Sequence, residues 1–576
     1  MMIFTINEVP QFANDNICYF WGNHLRNMIN KHLKLSVLAA FAFGLTTSCQ
    51  EKGDDKLQAQ IAEFERHVVT LSSDEFMGRM PFTEGETKTV NYIQEEFKKL
   101  GLLPGNGDSY FQDVPMMSIT TSPSSEMIIH AGSSKLSLKG FEDYVIWTQR
   151  TDSNVSFEEV EIVFAGYGIV APEYGWNDYE NLDVEGKIVM VMVNDPGFGN
   201  EDAELFRGNT MTYYGRWTYK FEEAARQGAL GTLIVHDTEP AGYGFNVVQN
   251  GWNSSKLYLD SRGKEIYKPV FEGWVTLPIA KQLFELAGMD AAEMMAIAKT
   301  KDFKAVPMNL KASSEMEVSV KYAMSKNVIA MIEGTKKPQE YLIYTAHWDH
   351  LGIGKPDEKG DSIYNGALDN ASGIAALMAL GKSFNENKPE RSVVLLAVTA
   401  EEQGLWGSAY YAQNPVFPVD KTIANINIDG VNHIGKMKDV SLIGSGQSDL
   451  EDLLENELSK VGRYSAPEPT PSAGYYYRSD HFNFAKVGIP ALYFGTGIDH
   501  VEKGKDFGLQ AQQDFTTNFY HKPSDEYDAS KWDLNASLEE IQLYLNIGNR
   551  LVNSNVWPQW KEGSEFKAVR DAYMKK

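Results

Sequence analysis

The chain has 576 residues and carries 78 Asp and Glu against 53 Lys and Arg, a formal charge of −25. With 43% hydrophobic and 12% aromatic residues it can build packed cores, and at roughly 100–200 residues per domain its length suggests about three domains. The acidic balance argues against nucleic acid and against electrostatic docking on anionic lipid. Two cysteines, Cys18 and Cys49, cannot supply a disulfide scaffold or a thiolate metal cluster, so any metal must be held by His and carboxylates.

Residues 1–27 carry no targeting or folding pattern. From Met28 the pattern sharpens: Lys31 and Lys34, an apolar run from Leu35 to Leu45, then Thr46-Thr47-Ser48-Cys49. A basic head, a short apolar stretch and small residues read as an export signal, and the run is too short to span a bilayer. The expectation is an over-long start plus signal over 1–48, with Met28 as the true start, and a flexible tether over 49–58. The ending is similar to a bacterial lipoprotein signal, in which Cys49 would carry the lipid. It departs from that pattern at Thr46, where Leu is usual. The expected location is therefore exported: the periplasm or outer surface of a Gram-negative bacterium, anchored through Cys49.

From about Ile61 to Leu100 apolar residues recur three and four apart, which predicts helices, with Gly101 as a stop. From about residue 125 to 310 the texture is β-rich, with runs such as EIVFAGYGIV, GKIVMVMV and GTLIVHD and one helical segment, WTYKFEEAARQGA. Beyond about Ser319 strands and helices alternate in the α/β manner. The strand candidates are 341–346, 392–400, 422–429 and 489–495, several continuously apolar like parallel strands buried on both faces. Residues 465–472 (SAPEPTPS) read as a Pro-rich loop.

The polar residues fall at strand ends. His347-Trp348-Asp349-His350 follows the first strand, Glu401-Glu402 the second, and Asp429 closes the third; Asp369 immediately precedes an apolar helix. Ligands of open α/β sheets bind beyond the carboxyl ends of the strands. Four carboxylates gathered on that edge would repel one another unless cations neutralised them, which points to a metal centre. His and carboxylate donors without Cys suit catalytic zinc, and two metals can share a carboxylate. Adjacent residues at a strand end point in different directions, so one glutamate of the 401–402 pair can bind metal while the other stays free as a base.

The segments AHWDH (346–350), GALDNASG (366–373), AEEQGLWGS (400–408), NID (427–429), RSDHFNFAKVGIP (478–490) and YHKPSDEYD (520–528) resemble metallopeptidase family 28, the co-catalytic di-zinc exopeptidases. LSSDEFMGR, NYIQEEFKKLGL and YFQDVP are similar to the family's N-terminal part. The resemblance extends from about residue 60 to 560. It implies an α/β fold, a mixed, mostly parallel sheet flanked by helices. It also implies two zinc ions per chain: His347 and Asp429 on one, Glu402 and His521 on the other, Asp369 bridging. Asp349 would hydrogen-bond the His347 imidazole, Glu401 would be the general base, and Tyr520 would donate to the oxyanion. Gly430 departs from the pattern, since relatives often carry a large residue there. His350, His481 and Asp480 are expected behind the ligands, Asp480 ordering its loop.

The segments 164–191 and 224–237 resemble a protease-associated domain, expected as an insert over 126–312 acting as a lid, with the peptidase domain in two parts, 59–125 and 313–576. The substrates would be peptides. Glu401 and Asp429 could grip a free α-amino group, which favours an aminopeptidase. A carboxypeptidase or dipeptidase would need an arginine, for which Arg79, Arg216 and Arg478 are open candidates. Trp348, Trp406 and Tyr475-Tyr476-Tyr477 could line a specificity pocket. The competing readings are a mono-zinc glutaminyl cyclase and a non-catalytic binding protein.

Overall fold

The computed structural model describes residues 56–200 and 202–574. The segments expected as an over-long start and an export signal, and Cys49, lie outside the described residues. Residues 56–71 are helical, which includes the end of the segment expected to be a tether. Among the described residues no helix is long and apolar enough to cross a membrane.

The amphipathic pattern after Thr83 forms α1 (Glu84–Lys99), which buries Val90, Ile93 and Phe97. It leads to β1 (Phe111–Pro123), which runs antiparallel along β2 (Val306–Ile332) from Phe111 opposite Val328 to Pro123 opposite Met316. β2 holds 27 residues, and its alternation of buried and exposed positions gives way to the apolar run at its end, Val328–Ile332. That change marks where it leaves a half-covered sheet and enters one covered on both faces. No break falls at 312/313, the boundary expected between insert and catalytic part: a single strand runs through it.

Between β1 and β2 the β-rich stretch builds its own core. Strands Asn154–Phe164, Ile188–Met192, Gly231–His236 and Phe271–Thr276 pair in parallel in that order, and the last is antiparallel to Tyr144–Trp147. The segment expected to be helical is α2 (Trp217–Arg226).

The catalytic part is a mixed, mostly parallel α/β sheet. β3 (Lys337–His347) lies between β4 (Arg391–Val398) and β5 (Thr422–Asn427), parallel to both, and β6 (Ala491–Thr496) extends the parallel set beyond β5. The end of β2 adds antiparallel to β4. Successive β3 side chains feed opposite faces, as strand geometry requires. Leu342 and Tyr344 pack with α3 (Ser372–Glu386) and α4 (Leu534–Val552), whereas Ile343 joins Val394, Leu396 and Phe484 on the other side. Each such buried aliphatic is worth about 1.5–3 kcal/mol, so the sheet is the rigid platform of the molecule. The Pro-rich segment is only partly a loop. Tyr464–Pro467 forms a short strand parallel to Asp439–Leu442.

Candidate metal centre and active site

β3, β4 and β5 end on one edge and deliver His347, then Glu401 and Glu402, then Asp429 to it. Beyond β4 the chain turns sharply at Ala400, whose φ of 54° is left-handed despite its Cβ. Such a residue costs about 1–2 kcal/mol, and the turn directs the 401–402 pair over the strand ends. Asp369 arrives from the loop before α3. His521 comes from beyond the sheet and also has a left-handed φ, 56°.

The two carboxylate oxygens of Asp369 face different imidazoles. Oδ1 lies 3.2 Å from His347 Nε2 and Oδ2 lies 3.4 Å from His521 Nε2. His347 Nε2 is also 3.3 Å from Asp429 Oδ1, and His521 Nε2 is 2.9 Å from Glu402 Oε2. All five residues expected as ligands are thus brought together, with Asp369 in the middle. His350 is closer to the centre than expected: its Nδ1 sits 2.6 Å from Glu402 Oε1. Ligand atoms of His347, Asp369 and Asp429, and of His350, Asp369 and Glu402, each fall within 4.8 Å of one another.

Charge explains why such a cluster needs cations. Burial opposes charge on His347, yet Glu401, Asp369 and Asp429 outweigh it and hold the imidazole well above its ordinary pKa. His521 is pushed up to about 10 against the same burial cost, by Glu402 and Asp369. Burial and Asp369 raise Glu402, but His350 and His521 override them and hold it at about 2. Glu401 goes the other way: burial, with repulsion from Asp429, Glu402 and Asp480, pushes it well above the carboxylate range despite His347. Imidazole and carboxylate donors without thiolate, converging in two groups that share one carboxylate, are a set suited to a pair of divalent zinc ions.

Asp349 corrects one expected role. The His347 Nδ1 is 3.1 Å from the main-chain carbonyl of Asp349 and 3.9 Å from its carboxylate. The carbonyl therefore fixes the tautomer that leaves Nε2 free. The carboxylate instead accepts the amides of Glu401 (3.0 Å) and Glu402 (3.3 Å). Tyr520 is 44% exposed and stacks on the His521 ring with centroids 3.8 Å apart, so its phenol is both anchored and accessible. Asp480 accepts from Ser408 Oγ at 2.5 Å and braces the loop behind the site.

Several supporting residues escaped the sequence reading. Asp525 accepts the amides of Leu368 (3.0 Å) and Asp369 (3.1 Å). Asn370 ties the same loop to the Asp429 turn through Ile428 O (3.0 Å) and Gly430 N (2.9 Å). Ser479 Oγ donates to Asp429 Oδ2 at 2.7 Å. All three lie inside or beside the motifs quoted above as polar residues without an assigned role, which was the available signal. Gly430 has φ 78°, and a Cβ there would meet only Leu368, at 3.8 Å, so the position opens space beside Asp429.

Four of the residues expected near the substrate are buried away from it. Arg79 is buried and donates to four main-chain carbonyls: Trp348 (2.9 Å), Leu71 (2.7 Å), Asn365 (2.6 Å) and Gly366 (2.8 Å). It staples the floor of the site and cannot reach a substrate. Trp348 is fully buried with Nε1 on Lys326 O at 2.9 Å, and so belongs to the core. Tyr476 and Tyr477 are buried as well, leaving Tyr475 and Trp406 with accessible surface.

Residues 327–546 match the model of peptidase family M28. A "Probable zinc metalloprotease" of Pyrenophora tritici-repentis is 33% identical over 214 residues, 32% of this chain and 48% of that protein. The mouse "Aminopeptidase NAALADL1" is 33% identical over 129 residues, 20% of this chain and 16% of its own length. The chain thus spans less than half the length of these curated relatives. Among solved structures, the aminopeptidase from Aneurinibacillus sp. strain AM-1 aligns over 86% of this chain and 95% of its own, at 20% identity and a TM-score of 0.47.

Proposed function

We propose that this chain, a member of peptidase family M28 through residues 327–546, is a di-zinc exopeptidase that removes N-terminal residues from peptides. The observation that carries the reading is Asp369, whose two oxygens address His347 and His521 separately. His347 and Asp429 would hold one zinc, Glu402 and His521 the other, and Asp369 would bridge. Bound zinc supplies Lewis acidity, which makes water a nucleophile near neutral pH and polarises a carbonyl.

The chain's own residues supply the rest. Glu401, buried beside the cluster and not required as a ligand, accepts the proton of the attacking water and passes it to the leaving amine. Tyr520 donates to the oxyanion from its perch on His521. The negative field of Glu401 and Asp429 holds the substrate's α-ammonium, which favours N-terminal cleavage. Export with lipidation at Cys49, and a protease-associated insert that covers the site mouth as a lid, belong to the same proposal. A deletion of the insert that leaves discrimination between di- and decapeptides unchanged would argue against the lid.

The test is Glu401→Gln. Turnover of aminoacyl substrates should vanish while two zinc ions per chain remain by elemental analysis. One zinc per chain would favour a cyclase, retained turnover would remove Glu401 as the base, and activity confined to N-blocked peptides would overturn the aminopeptidase reading.

A further inference from the structure

Two arginines stand where the insert meets the catalytic part, and one of them is the sequence neighbour of the serine that supports Asp429. Arg478 directly precedes Ser479, whose hydroxyl bonds Asp429 at 2.7 Å. Arg216 comes from the insert, just before α2. The contact between the two parts is close: Met211 N donates to Pro471 O at 3.2 Å. Gly474 (φ 65°) has no room for a Cβ, which would fall 2.5 Å from Met211 Sδ and 3.5 Å from Arg216 Cδ.

Each guanidinium lies over an aromatic ring, Arg216 over Trp217 at 5.9 Å and Arg478 over Tyr475 at 5.2 Å. Arg216 is only 8% exposed, yet its Nε is buried without a hydrogen-bond partner, as is that of Arg478. Among the described residues no carboxylate lies within 4 Å of either, in contrast to Arg391, which pairs with Glu340 at 2.5 Å. Arg216 is faced by Arg478 and by the phenols of Tyr213, Tyr243 and Tyr477, and burial with the like charge of Arg478 pulls it down to about 9. The third arginine nearby, Arg207, is committed to Ser445 O at 2.5 Å. Glu468 faces Arg478 and Arg207 and accepts from Gly444 N at 3.2 Å, which leaves Arg216 without a countercharge. An unpaired buried cation costs several kcal/mol, so Arg216, with the like charge of Arg478 beside it and no carboxylate facing it, is the group an incoming anion would complete.

We infer that Arg216 and Arg478 form a carboxylate subsite beside the metal centre, so that the preferred substrates are peptides whose carboxylate is seated there. This rests on the exopeptidase reading and deepens it. A planar guanidinium binds a carboxylate with paired hydrogen bonds. Two of them, supplied by different parts of the chain, would measure the distance from the scissile bond to the negative group. That group can be the C-terminal carboxylate of a di- or tripeptide, or an acidic side chain.

The experiment measures binding by calorimetry to the zinc-loaded Glu401→Gln protein, so that it does not depend on turnover. One arm compares L-Ala-L-Leu with L-Ala-L-leucinamide, and the other L-Ala-L-Glu-amide with L-Ala-L-Gln-amide. The expected result is about tenfold to a hundredfold tighter binding of the charged member in one arm, which identifies the source. Adding Arg216→Gln or, separately, Arg478→Gln at the partly buried second arginine should collapse that ratio towards one. Thermal melting checks that each variant is folded, and the parental ratio alone remains decisive if one is not. Equal binding of charged and uncharged members in both arms overturns the subsite. So does a ratio that survives in a folded variant. Loss of the exopeptidase reading would appear separately, as no hydrolysis of any of the four peptides by the wild type.

Discussion

The carboxylate of Asp349 accepts the main-chain amide of Glu401 at 3.0 Å, across 52 residues of sequence, and that of Glu402 at 3.3 Å. One side chain therefore sets the backbone from which both the proposed base and a proposed ligand project. Asp349→Asn keeps the volume but can offer only one oxygen to two donors. We expect kcat to fall about 10- to 100-fold, the usual range for losing a residue that orients ligands. Zinc content should drop less than activity, since His347 keeps its carbonyl partner. Steady-state kinetics beside metal analysis checks this, and an unchanged kcat would refute it.

Asp525 does for Asp369 what Asp349 does for the glutamates, gripping the amides of Leu368 and Asp369. Burial pushes its carboxyl up to about 6. Asp525→Ala frees the loop that carries the proposed bridging carboxylate and leaves one buried and one partly buried amide without their acceptor, a buried one being worth about 1–3 kcal/mol. The expected outcome is release of zinc at a chelator concentration about 10- to 100-fold lower than for the wild type.

The edge that gathers His347, Glu401, Glu402 and Asp429 was legible in the sequence because the apolar strands announce their own ends, whereas the proposed ligand assignment, His521 included, came from the resemblance to family 28. The polar residue after each of 341–346, 392–400 and 422–429 had to sit on one edge. What stayed hidden was the direction of individual hydrogen bonds. Asp349 was expected on the imidazole two residues away, but the chain bends so that its carbonyl takes that place. Arg79 was a plausible substrate contact by charge alone. Only the structure shows that its donors are consumed by carbonyls from residues 71, 348, 365 and 366. The single strand that runs through 312/313 stayed hidden for a different reason. Residues on both sides alternate as strand, and composition cannot tell one long strand from two short ones.

Arg79→Lys tests the staple. Lysine has three donors on one nitrogen and cannot span four carbonyls. Stranding buried carbonyls about a buried cation should cost about 3–5 kcal/mol, read as a lower denaturant midpoint with an unchanged slope. Zinc affinity should weaken too, because Trp348 O and Gly366 O flank His347 and Asp369. A midpoint within error of the wild type would show that the carbonyls find other partners.

His481 predicts the acid limb of stability. It is fully buried between the rings of Tyr476 and Tyr493, and neither nitrogen has a partner. Burial holds it down at about 3, with only the main chain of Tyr476 acting the other way. The unfolded imidazole titrates near 6.5, so between 6.5 and 3 the unfolded state binds the extra proton. This contribution is complete above about pH 6.5 and is lost as the pH falls, up to about 4–5 kcal/mol at about 1.4 kcal/mol per unit. Neighbouring Asp480 has the opposite sign: burial raises it to about 7, so what it contributes is lost as pH rises. His481→Leu removes one and keeps the other. Urea unfolding of wild type and variant, both stripped of metal so that ligand protonation cancels, should show the wild type losing stability relative to the variant as the pH is lowered from 7 to 4. Parallel curves would mean that His481 protonates without unfolding its surroundings.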